Sequence, residues 1–396
     1  MRARAQIGWM PRGHAMDDGR EPGPPPLFGH ERLLEEVVSG LAASLAGEGT
    51  GSAIVGGPGV GKSALWRAAA ARLPSPRVLE VEGIEQEAQF PYSALQRLIS
   101  PLSDALGAIS STHARTLRGV LGFETDSSAD GFAVGAAVMA LLEEAARDTA
   151  TLVVVESAQW VDHESLSAVA FAARRLARDP VAIIIVMRSD AAALADLSGL
   201  QLSTVDPLDT DSARALLADR LDGISDPALQ DLLIERADGN PRALTTMADE
   251  LAVRTSADDL FARLSVGASL PVHGEVDRAV QNRMLTLSES ARRLALVVAE
   301  ESSGRIDIVL RAAQAWMGDD IADLDPAIDE LTASGLVEFE GGRLRMRDPL
   351  ARASISALSA PEFRRAAHVG LAVAFESLGM DPARVAWHLA SSVHVA

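Results

Sequence analysis

Short apolar runs alternate with helical periodicity through the first half of the chain. The runs are rich in Val, Ile and Leu, and several end next to glycine or a charged residue. Such runs are typical of strands that are buried on both faces of a parallel sheet. The predicted strands are residues 52–55, 77–81, 151–156, 181–187 and 202–205.

Helical patterns lie before and between these strands, at residues 31–45, 64–73, 93–102 and 131–147, and from Asp162 to about residue 178. Asp162 is the expected N-cap of the last of these helices. Strands and helices that alternate at this spacing predict an α/β fold, a parallel sheet with both faces covered. Ligands of such sheets bind at the carboxyl ends of the strands.

Beyond residue 206 the pattern becomes mainly helical. Helices are predicted at 210–221 and 226–237, and Asp238-Gly239-Asn240-Pro241 ends the second. Further helices are followed by two short strands around Gly341-Gly342, which is a hairpin signal. Helices followed by a hairpin are typical of a winged-helix module.

These changes of pattern divide the chain into five predicted parts. The glycine-, proline- and charge-rich residues 1–26 are expected to be a disordered tail. The sheet domain is expected at 27–205, a helical lid at 206–270, the winged-helix domain at 271–360 and the start of a helical region at 361–396.

Composition excludes several classes of protein. The 396 residues include no cysteine, so disulfides and thiolate metal sites are absent. The longest apolar stretches are too short to span a bilayer, and the N-terminus lacks the apolar core of a secretory signal. We therefore expect a cytoplasmic protein with no membrane partner. A net charge of −19 opposes binding of a nucleic-acid backbone over most of the surface.

Residues 56–63, Gly-Gly-Pro-Gly-Val-Gly-Lys-Ser, match the phosphate-binding pattern G-x-x-x-x-G-K-[ST] without a mismatch. The loop lies between a predicted strand and a predicted helix, as this chemistry requires, since the helix N-terminus adds free N–H donors. Lys62 would reach the β- and γ-phosphates, and the Ser63 hydroxyl would bind Mg²⁺. The alternative is a glycine-rich turn before an ordinary helix.

Glu156 ends the third predicted strand, where phosphoryl chemistry usually needs an acid for Mg²⁺. A solvated charge at a strand end is the alternative. The next residue, Ser157, is a poor general base near neutral pH. Arg188, at the end of the next strand, could contact a γ-phosphate or could be a surface or ion-paired arginine. The sequence thus predicts nucleotide binding more strongly than hydrolysis. The histidines have no zinc-ligand spacing.

An ordered set of segments resembles the nucleotide-binding region of the large ATP-binding LuxR-type transcriptional regulators, which are AAA-like, signal-transducing P-loop ATPases. The resemblance covers roughly residues 27–390. Besides the phosphate-binding loop, the segments are L-F-G-H-E at 27–31, F-P-Y-S-A-L at 90–95, V-V-V-E-S-A-Q-W-V-D at 153–162, G-N-P-R-A-L at 239–244, R-D-P-L-A-R at 347–352 and A-W-H-L-A at 386–390.

This resemblance implies a P-loop NTPase core, a helical lid and a winged helix that act as a nucleotide-dependent switch, with ATP or ADP and Mg²⁺ bound. The strand-end positions predict Glu156 and Arg188 as the catalytic residues, and the loop chemistry predicts Ser63 and Glu156 as the metal ligands. Gly29 and Pro241 would lie near the adenine. The full set expected to bind the nucleotide is Gly29, Gly56, Gly57, Pro58, Gly59, Val60, Gly61, Lys62, Ser63, Ala64 and Pro241.

The chain departs from the family pattern at several positions. His30 replaces the usual arginine, Glu156 and Ser157 replace two acids, and Asp348 replaces the family histidine. The last change weakens the expectation that the winged helix senses bound nucleotide. Such regulators also carry a long helical region and a C-terminal helix-turn-helix, which this sequence lacks. The resemblance then implies a fragment, a truncated relative or a separate protein.

The leading hypothesis is an ATP-binding regulatory switch with weak or absent hydrolysis. Its partners would be nucleotide, an effector protein or small molecule, and a second copy of the chain. DNA would be bound only through the helix-turn-helix that is absent here. The alternatives are an active AAA-like ATPase, a scaffold that no longer uses nucleotide, and direct DNA binding through the winged helix. The intact Lys62 and Ser63 argue against the scaffold, and the acidity of the chain argues against DNA binding.

Overall fold

A parallel sheet of five strands forms the first part of the chain, in the order β2-β3-β4-β1-β5. Every neighbouring pair runs parallel. All five predicted strands are present. The inner strands β1, β3 and β4 are buried on both faces, whereas the edge strands β2 and β5 have exposed residues. Their bounds are β1 (Ser52–Gly56), β2 (Arg77–Glu82), β3 (Thr151–Glu156), β4 (Val181–Arg188) and β5 (Gln201–Val205).

This computed structural model describes residues 27–122, 131–176, 178–189, 191–221, 227–253, 275–301, 303–318, 324–380 and 382–393. The expected disordered tail at 1–26 lies outside the described residues.

Helices cover both faces of the sheet. Successive strand residues point to opposite faces, so Ile54 packs with one group of helices and Ala53 and Val55 with the other. The first group is α1 (Glu31–Leu45) and α2 (Lys62–Ala71). The second is α3 (Ser93–Ile99), α4 (Ser111–Val120), α5 (Gly131–Ala146) and α6 (His163–Ala173). This layered parallel sheet is the fold of the P-loop NTPases, as predicted.

Two helices are shorter than predicted. The helix expected over 93–102 is α-helical only to Ile99, and a 3-10 helix continues it to Gly107. Pro101 has no N–H to continue the α-helical ladder. The helix that starts after Asp162 ends at Ala173 rather than near residue 178. There the carbonyl of Ala173 accepts a hydrogen bond from the N–H of Gly51 at 2.9 Å, which ties the end of α6 to the start of β1.

The next part of the chain is helical, as its pattern predicts. It consists of α7 (Thr210–Arg220), α8 (Pro227–Ala237) and α9 (Pro241–Val253). Their apolar faces form a small core of leucines, alanines and Met247, which also buries Leu350 from a later helix. Phe28, just before α1, packs against the same core.

A further core is built by helices around a two-stranded hairpin. The hairpin strands β6 (Val337–Glu340) and β7 (Arg343–Met346) pair antiparallel, with Glu340 opposite Arg343. Gly341 and Gly342 both have positive φ angles, 58° and 73°, as a two-residue turn of this hand requires. The predicted hairpin is present. The helices are α10 (Glu275–Thr286), α11 (Glu289–Glu300), α12 (Ile306–Met317), α13 (Asp325–Ala333), α14 (Pro349–Leu358), α15 (Pro361–Ser377) and α16 (Pro382–Val393).

Within the described ranges, none of the helices combines the length and the apolar character that crossing a bilayer would require.

Candidate functional site

The loop between β1 and α2 has the backbone of a phosphate cradle. Gly59 and Gly61 have φ angles of 74° and 107°, a region that residues with a Cβ rarely adopt. A Cβ on Gly59 would also lie 2.7 Å from Oδ1 of Asn240. Glycine is therefore required at position 59 for both backbone shape and space. Gly61 is the N-terminal residue flanking α2, so the free N–H groups of that helix open onto the loop.

Lys62 is folded back over the loop. Its ammonium group donates hydrogen bonds to the carbonyls of Gly56 at 3.0 Å and Gly57 at 2.6 Å. Burial and, to a lesser extent, the nearby positive charge of Arg188 lower the pKa of Lys62 to about 8, while Glu156 opposes the shift. Because the carbonyls are neutral, a phosphate group would be a better partner for this cation.

Ser63 and Glu156 come together as predicted. The Ser63 hydroxyl donates to Oε2 of Glu156 at 3.1 Å, and Glu156 is only 6% exposed. Two neighbouring ligands of an octahedral Mg²⁺ ion lie roughly 3 Å apart, given Mg–O distances of about 2.1 Å. The hydroxyl and carboxylate oxygens therefore fit that ion in both type and spacing.

Two further residues of α2 hold Glu156. The indole N–H of Trp66 donates to Oε1 of Glu156, and the Arg67 guanidinium lies 3.5 Å from the same oxygen. Arg67 also pairs with Glu80 of β2 at 3.2 Å. Neither Trp66 nor Arg67 is indicated by a sequence motif. Trp66 follows Ser63 by three positions and so shares its helix face, a spacing that could have suggested the contact.

Ser157 adopts a left-handed conformation with φ 51° at the turn after β3. A Cβ on Gly83 would come within 2.4 Å of the Ser157 carbonyl oxygen, so β2 and β3 end in close contact there. The Ser157 side chain has no carboxylate or imidazole to accept a proton. The position next to Glu156 therefore lacks a general base.

Asp162, the last acid of this segment, has a structural part. It caps α6 as predicted, accepting from Ser165 N at 2.9 Å. The same carboxylate also accepts from the backbone N–H groups of Tyr92 at 2.7 Å and Ala94 at 3.1 Å. It thereby joins the start of α3 to the start of α6, so the hydrogen bonds of this carboxylate stabilise the fold.

Arg188 ends β4 directly beside the loop, in register with Gly56. Its backbone N–H donates to Oε1 of Gln159 at 3.2 Å. The side chain is half-buried, and burial lowers its pKa, an effect that the negative charges of Asp348, Glu338 and Glu85 oppose. Arg188 thus lies between the sheet and the hairpin. A cavity of about 300 Å³ opens there, lined among others by Gly57, Pro58, Arg188, Asn240, Glu338 and Arg347.

The helical part contacts the loop through Asn240. This buried side chain donates to the Pro58 carbonyl at 2.8 Å and caps α9 by accepting from Ala243 N at 3.1 Å. Next to it, the Arg242 N–H donates to the Gly59 carbonyl at 3.2 Å. Pro241, predicted to lie near adenine, belongs to this turn. The segment is indicated by its resemblance to a family motif, but the motif does not indicate Asn240 and Arg242 as the residues that contact the loop.

Gly29, the other residue predicted to lie near adenine, packs against the start of the helical part. Its φ is 71°, and a Cβ there would meet Oγ of Ser212 at 2.7 Å. His30 follows it and hydrogen-bonds the Val60 backbone, while burial lowers its pKa. The Nε2 atom of His30 is buried and has no hydrogen-bond partner among the described residues. The segment just before α1 thus contacts the loop that carries Lys62.

Asp348 lies at the joint between the hairpin and α14. It caps that helix by accepting from Leu350 N at 2.9 Å. Burial raises its pKa, while the positive charges of Arg242, Arg188 and Arg283 work in the opposite direction. The acid and these arginines come from four different segments, so the joint brings the hairpin, the helical part and the sheet to one place.

Residues 26–185 match the family model described as an AAA ATPase domain. The chain therefore carries an AAA ATPase domain with the P-loop NTPase fold. Comparison with the curated proteins gives no match.

The chain is similar to several solved structures at low sequence identity. The Walker-type ATPase PABY2304 of Pyrococcus abyssi is 16% identical, with 83% of this chain and 96% of that chain covered and a TM-score of 0.49. The ORC1 protein of Aeropyrum pernix, solved in complex with DNA, is 18% identical, with 85% and 94% covered and a TM-score of 0.45. A signal transduction ATPase with numerous domains and a tetratricopeptide repeat sensor, PH0952 from Pyrococcus horikoshii, is 14% identical, with 95% and 49% covered and a TM-score of 0.37.

Proposed function

We propose that this chain is the ATP-binding regulatory switch of a LuxR-type transcriptional regulator, binding ATP or ADP with Mg²⁺ and hydrolysing ATP slowly or not at all. The single observation that carries the proposal is the assembly at the end of β1. There Lys62 hydrogen-bonds the intact loop, and the neighbouring Ser63 hydrogen-bonds Glu156.

In this proposal the loop from Gly56 to Ala64 binds the phosphates through its N–H groups and Lys62. Gly29 and Pro241 lie near the adenine, on either side of the joint between the sheet and the helical part. Arg188 supplies a second positive charge on the γ-phosphate side. These roles are supported by the closeness of Arg188 and Asn240 to the loop.

Ser63 and Glu156 would hold Mg²⁺, which neutralises charge on the phosphates when it is bound. The two oxygens already lie at the spacing of neighbouring ligands, so Ser63 and Glu156 could bind the ion together without moving apart. Trp66 and Arg67 keep Oε1 facing α2, so Oε2 is the oxygen left for the metal.

Slow hydrolysis is supported by Ser157. A water that attacks a γ-phosphate needs a group to orient or deprotonate it. Glu156 is committed to Ser63, Trp66 and Arg67, and Ser157 cannot accept a proton near neutral pH. A working ATPase of the AAA type is the alternative, favoured by the presence of both an acid and an arginine at neighbouring strand ends.

The regulatory part of the proposal assigns residues 206–270 to a lid, 271–360 to a winged-helix domain and 361–396 to the start of a helical region. Its support is the meeting of Asp348, Arg188 and Arg242 beside the loop. Phosphate groups would attract the same arginines that now face Asp348, so bound nucleotide would change how the hairpin sits on the sheet.

The proposal is tested by nucleotide affinity measured calorimetrically with Mg²⁺ at pH 7. Lys62→Ala removes the only cation within the loop, and we expect ADP affinity to fall by at least about tenfold, as for a lost charge-assisted hydrogen bond. Arg72→Ala is the matched control. It removes a cation just after the same helix, where the side chain pairs with Glu35, and should leave affinity unchanged. Equal affinity of Lys62→Ala and the unmodified chain would contradict the proposal.

A further inference from the structure

An apolar cavity of about 500 Å³ lies among the C-terminal helices, away from the phosphate-binding loop. Its volume is in the range of small-molecule sites, roughly 300–1,000 Å³. Met284 and Leu285 of α10, Leu296 of α11 and Leu358 at the end of α14 form much of its apolar wall.

One side of the cavity is aromatic and cationic. The rings of Trp316 and Phe363 lie 6.2 Å apart, and the Arg293 guanidinium lies 5.7 Å from the first ring and 6.0 Å from the second. Arg293 pairs with Glu289 one helical turn away. Its Nε atom, however, is buried and finds no hydrogen-bond partner within the part of the chain that the structure describes.

A buried guanidinium N–H without an acceptor is unfavourable, and the group that satisfies it best is an anion. Arg292 adds a second positive charge at the rim, so the two arginines outweigh Glu289. The apolar wall and the aromatic rings would bury a carbon skeleton. Phe363 and Leu285 are 44% and 69% exposed, so the cavity is open to entry from solvent.

We propose that this cavity binds a small amphipathic anion, a carboxylic acid with an aromatic or branched aliphatic body. The carboxylate contacts Arg293 and the body packs on Trp316, Phe363 and the leucines. The volume fits one such molecule. A partner helix is a poorer occupant, because a stable protein interface buries about 800 Å² on each side.

Helix α14 connects this cavity with the phosphate-binding site. Pro349, at its start, lines the cavity beside the loop, and Leu358, at its end, lines the apolar cavity. Ten residues of helix span about 15 Å as one rigid element. A ligand at one end that shifts α14 therefore changes affinity at the other end, and the effect is reciprocal. This coupling rests on the proposed function, whereas the binding site itself does not.

The site is tested without nucleotide, using the fluorescent dye 1-anilinonaphthalene-8-sulfonate as the amphipathic anion and N-phenyl-1-naphthylamine as its neutral counterpart. We expect saturable binding of one sulfonate per chain. Arg293→Met should weaken the sulfonate about tenfold and the neutral dye less than about twofold. Phe363→Ala should weaken both dyes. Arg365→Met, an exposed arginine on the same helix as Phe363, should change neither.

Glu289→Gln separates the site from simple misfolding. It removes the carboxylate that competes for Arg293, so the sulfonate should bind more tightly while the neutral dye binds as before. Unfolding would expose apolar surface and increase the binding of both dyes. The site is overturned if the sulfonate does not saturate, or if neither Arg293→Met nor Glu289→Gln changes its affinity.

The coupling is tested by the affinity for ADP with and without saturating sulfonate dye. A changed ADP affinity supports the coupling, and an unchanged ADP affinity overturns it. In either case the dye titrations decide whether the cavity binds the anion. If ADP does not bind at all, the proposed nucleotide function fails along with the coupling, and the cavity is again judged by the dyes alone.

Discussion

At the scale of single residues, the charge of Lys62 links nucleotide binding to pH. Its pKa is lowered to about 8, chiefly by burial and then by Arg188. A bound phosphate adds negative charge beside the ammonium group and raises that pKa. Binding near pH 8 should therefore take up a proton, and affinity should fall as pH rises above 8, by at most about tenfold per pH unit.

Lys62 is the only lysine in the sequence, which makes its charge directly measurable. Reductive methylation with ¹³C-formaldehyde labels this side chain and the N-terminal amine, and NMR then follows each titration. We expect the Lys62 resonance to titrate near pH 8 without ADP and higher with ADP, while the N-terminal amine stays unchanged. A Lys62 pKa that ADP does not move would contradict the contact with phosphate.

Ser157 gives a second prediction at this scale. Ser157→Asp places a carboxylate beside Glu156, where it can orient the attacking water, and such groups typically contribute about 10²–10⁴-fold. We expect a smaller gain in single-turnover ATP hydrolysis, because Glu156 is a methylene longer than aspartate. Aspartate tolerates the left-handed backbone found here, so nucleotide affinity should stay similar.

Ser157→Asn is the matched control for that experiment. Asparagine also tolerates the left-handed region and has nearly the shape of aspartate, but it cannot act as a base. Its rate should stay at that of the unmodified chain. If the unmodified chain already turns over at about 1 s⁻¹ or faster, as ordinary enzymes do, Ser157 is no defect and the slow-switch proposal loses its main support.

At the scale of elements, Asn240 joins two functions in one side chain. It caps α9 and also hydrogen-bonds the loop carbonyl of Pro58. Asn240→Ala removes both contacts and should lower the free energy of unfolding by about 1 kcal/mol, the usual effect of a lost cap. It should also weaken nucleotide binding, since the loop loses a support.

The control for Asn240 is Asp209→Ala. Asp209 caps α7 by accepting from Ser212 N at 2.8 Å, and in the described part of the chain no hydrogen bond joins its side chain to the phosphate-binding loop. Both variants should unfold more easily in guanidinium, but only Asn240→Ala should bind ADP more weakly. Equal ADP affinities for the two variants would show that the contact between the helical part and the loop does not support binding.

The elements also show how far sequence patterns reach. Strands such as β3 and β4 follow from uninterrupted β-branched runs, and the hairpin follows from Gly341-Gly342. The phosphate-binding loop follows from its sequence motif, and the position of Glu156 follows from the end of the strand that carries it. The contacts of Trp66 with Glu156 and of Asn240 with Pro58 join residues far apart in sequence, 90 and 182 positions. Such pairs depend on how a helix is set against the sheet, which local periodicity does not encode.

At the scale of the whole molecule, the cavity around Arg293 and the C-terminal core are each built from several helices that are separated in sequence. The cavity around Arg293 is walled by α10, α11, α12, α14 and α15, whose individual patterns indicate only amphipathic helices. Two distant histidines, His368 of α15 and His388 of α16, also come together in this part of the molecule. The structure buries both and joins them, with their Nδ1 atoms 3.0 Å apart.

This histidine pair makes the C-terminal core sensitive to acid. Burial lowers the pKa of His368 and lowers that of His388 to about 3, the latter helped by His368 and Arg384. Glu300 of α11 lies 3.7 Å from His368 and opposes its shift, whereas Arg236 of α8 and Arg364 of α15 reinforce it. Both rings are therefore neutral in the fold at pH 7. In the unfolded chain they titrate near pH 6.5.

Since the unfolded chain binds the extra protons, stability is full above pH 6.5 and declines as pH falls from there toward the folded pKa values. One such histidine should contribute a loss of about 2 kcal/mol between pH 7 and pH 5. His388→Gln removes one titrating ring, so the free energy of unfolding of this variant should fall less steeply over that interval, even if it starts lower.

The measurement is guanidinium unfolding at pH 7, 6 and 5, followed by tryptophan fluorescence, since Trp316 and Trp387 lie in this part of the molecule. His163→Gln, which removes an exposed histidine of α6, should keep the slope of the unmodified chain. Parallel pH profiles for His388→Gln and His163→Gln would show that the buried pair is not what makes this core sensitive to acid.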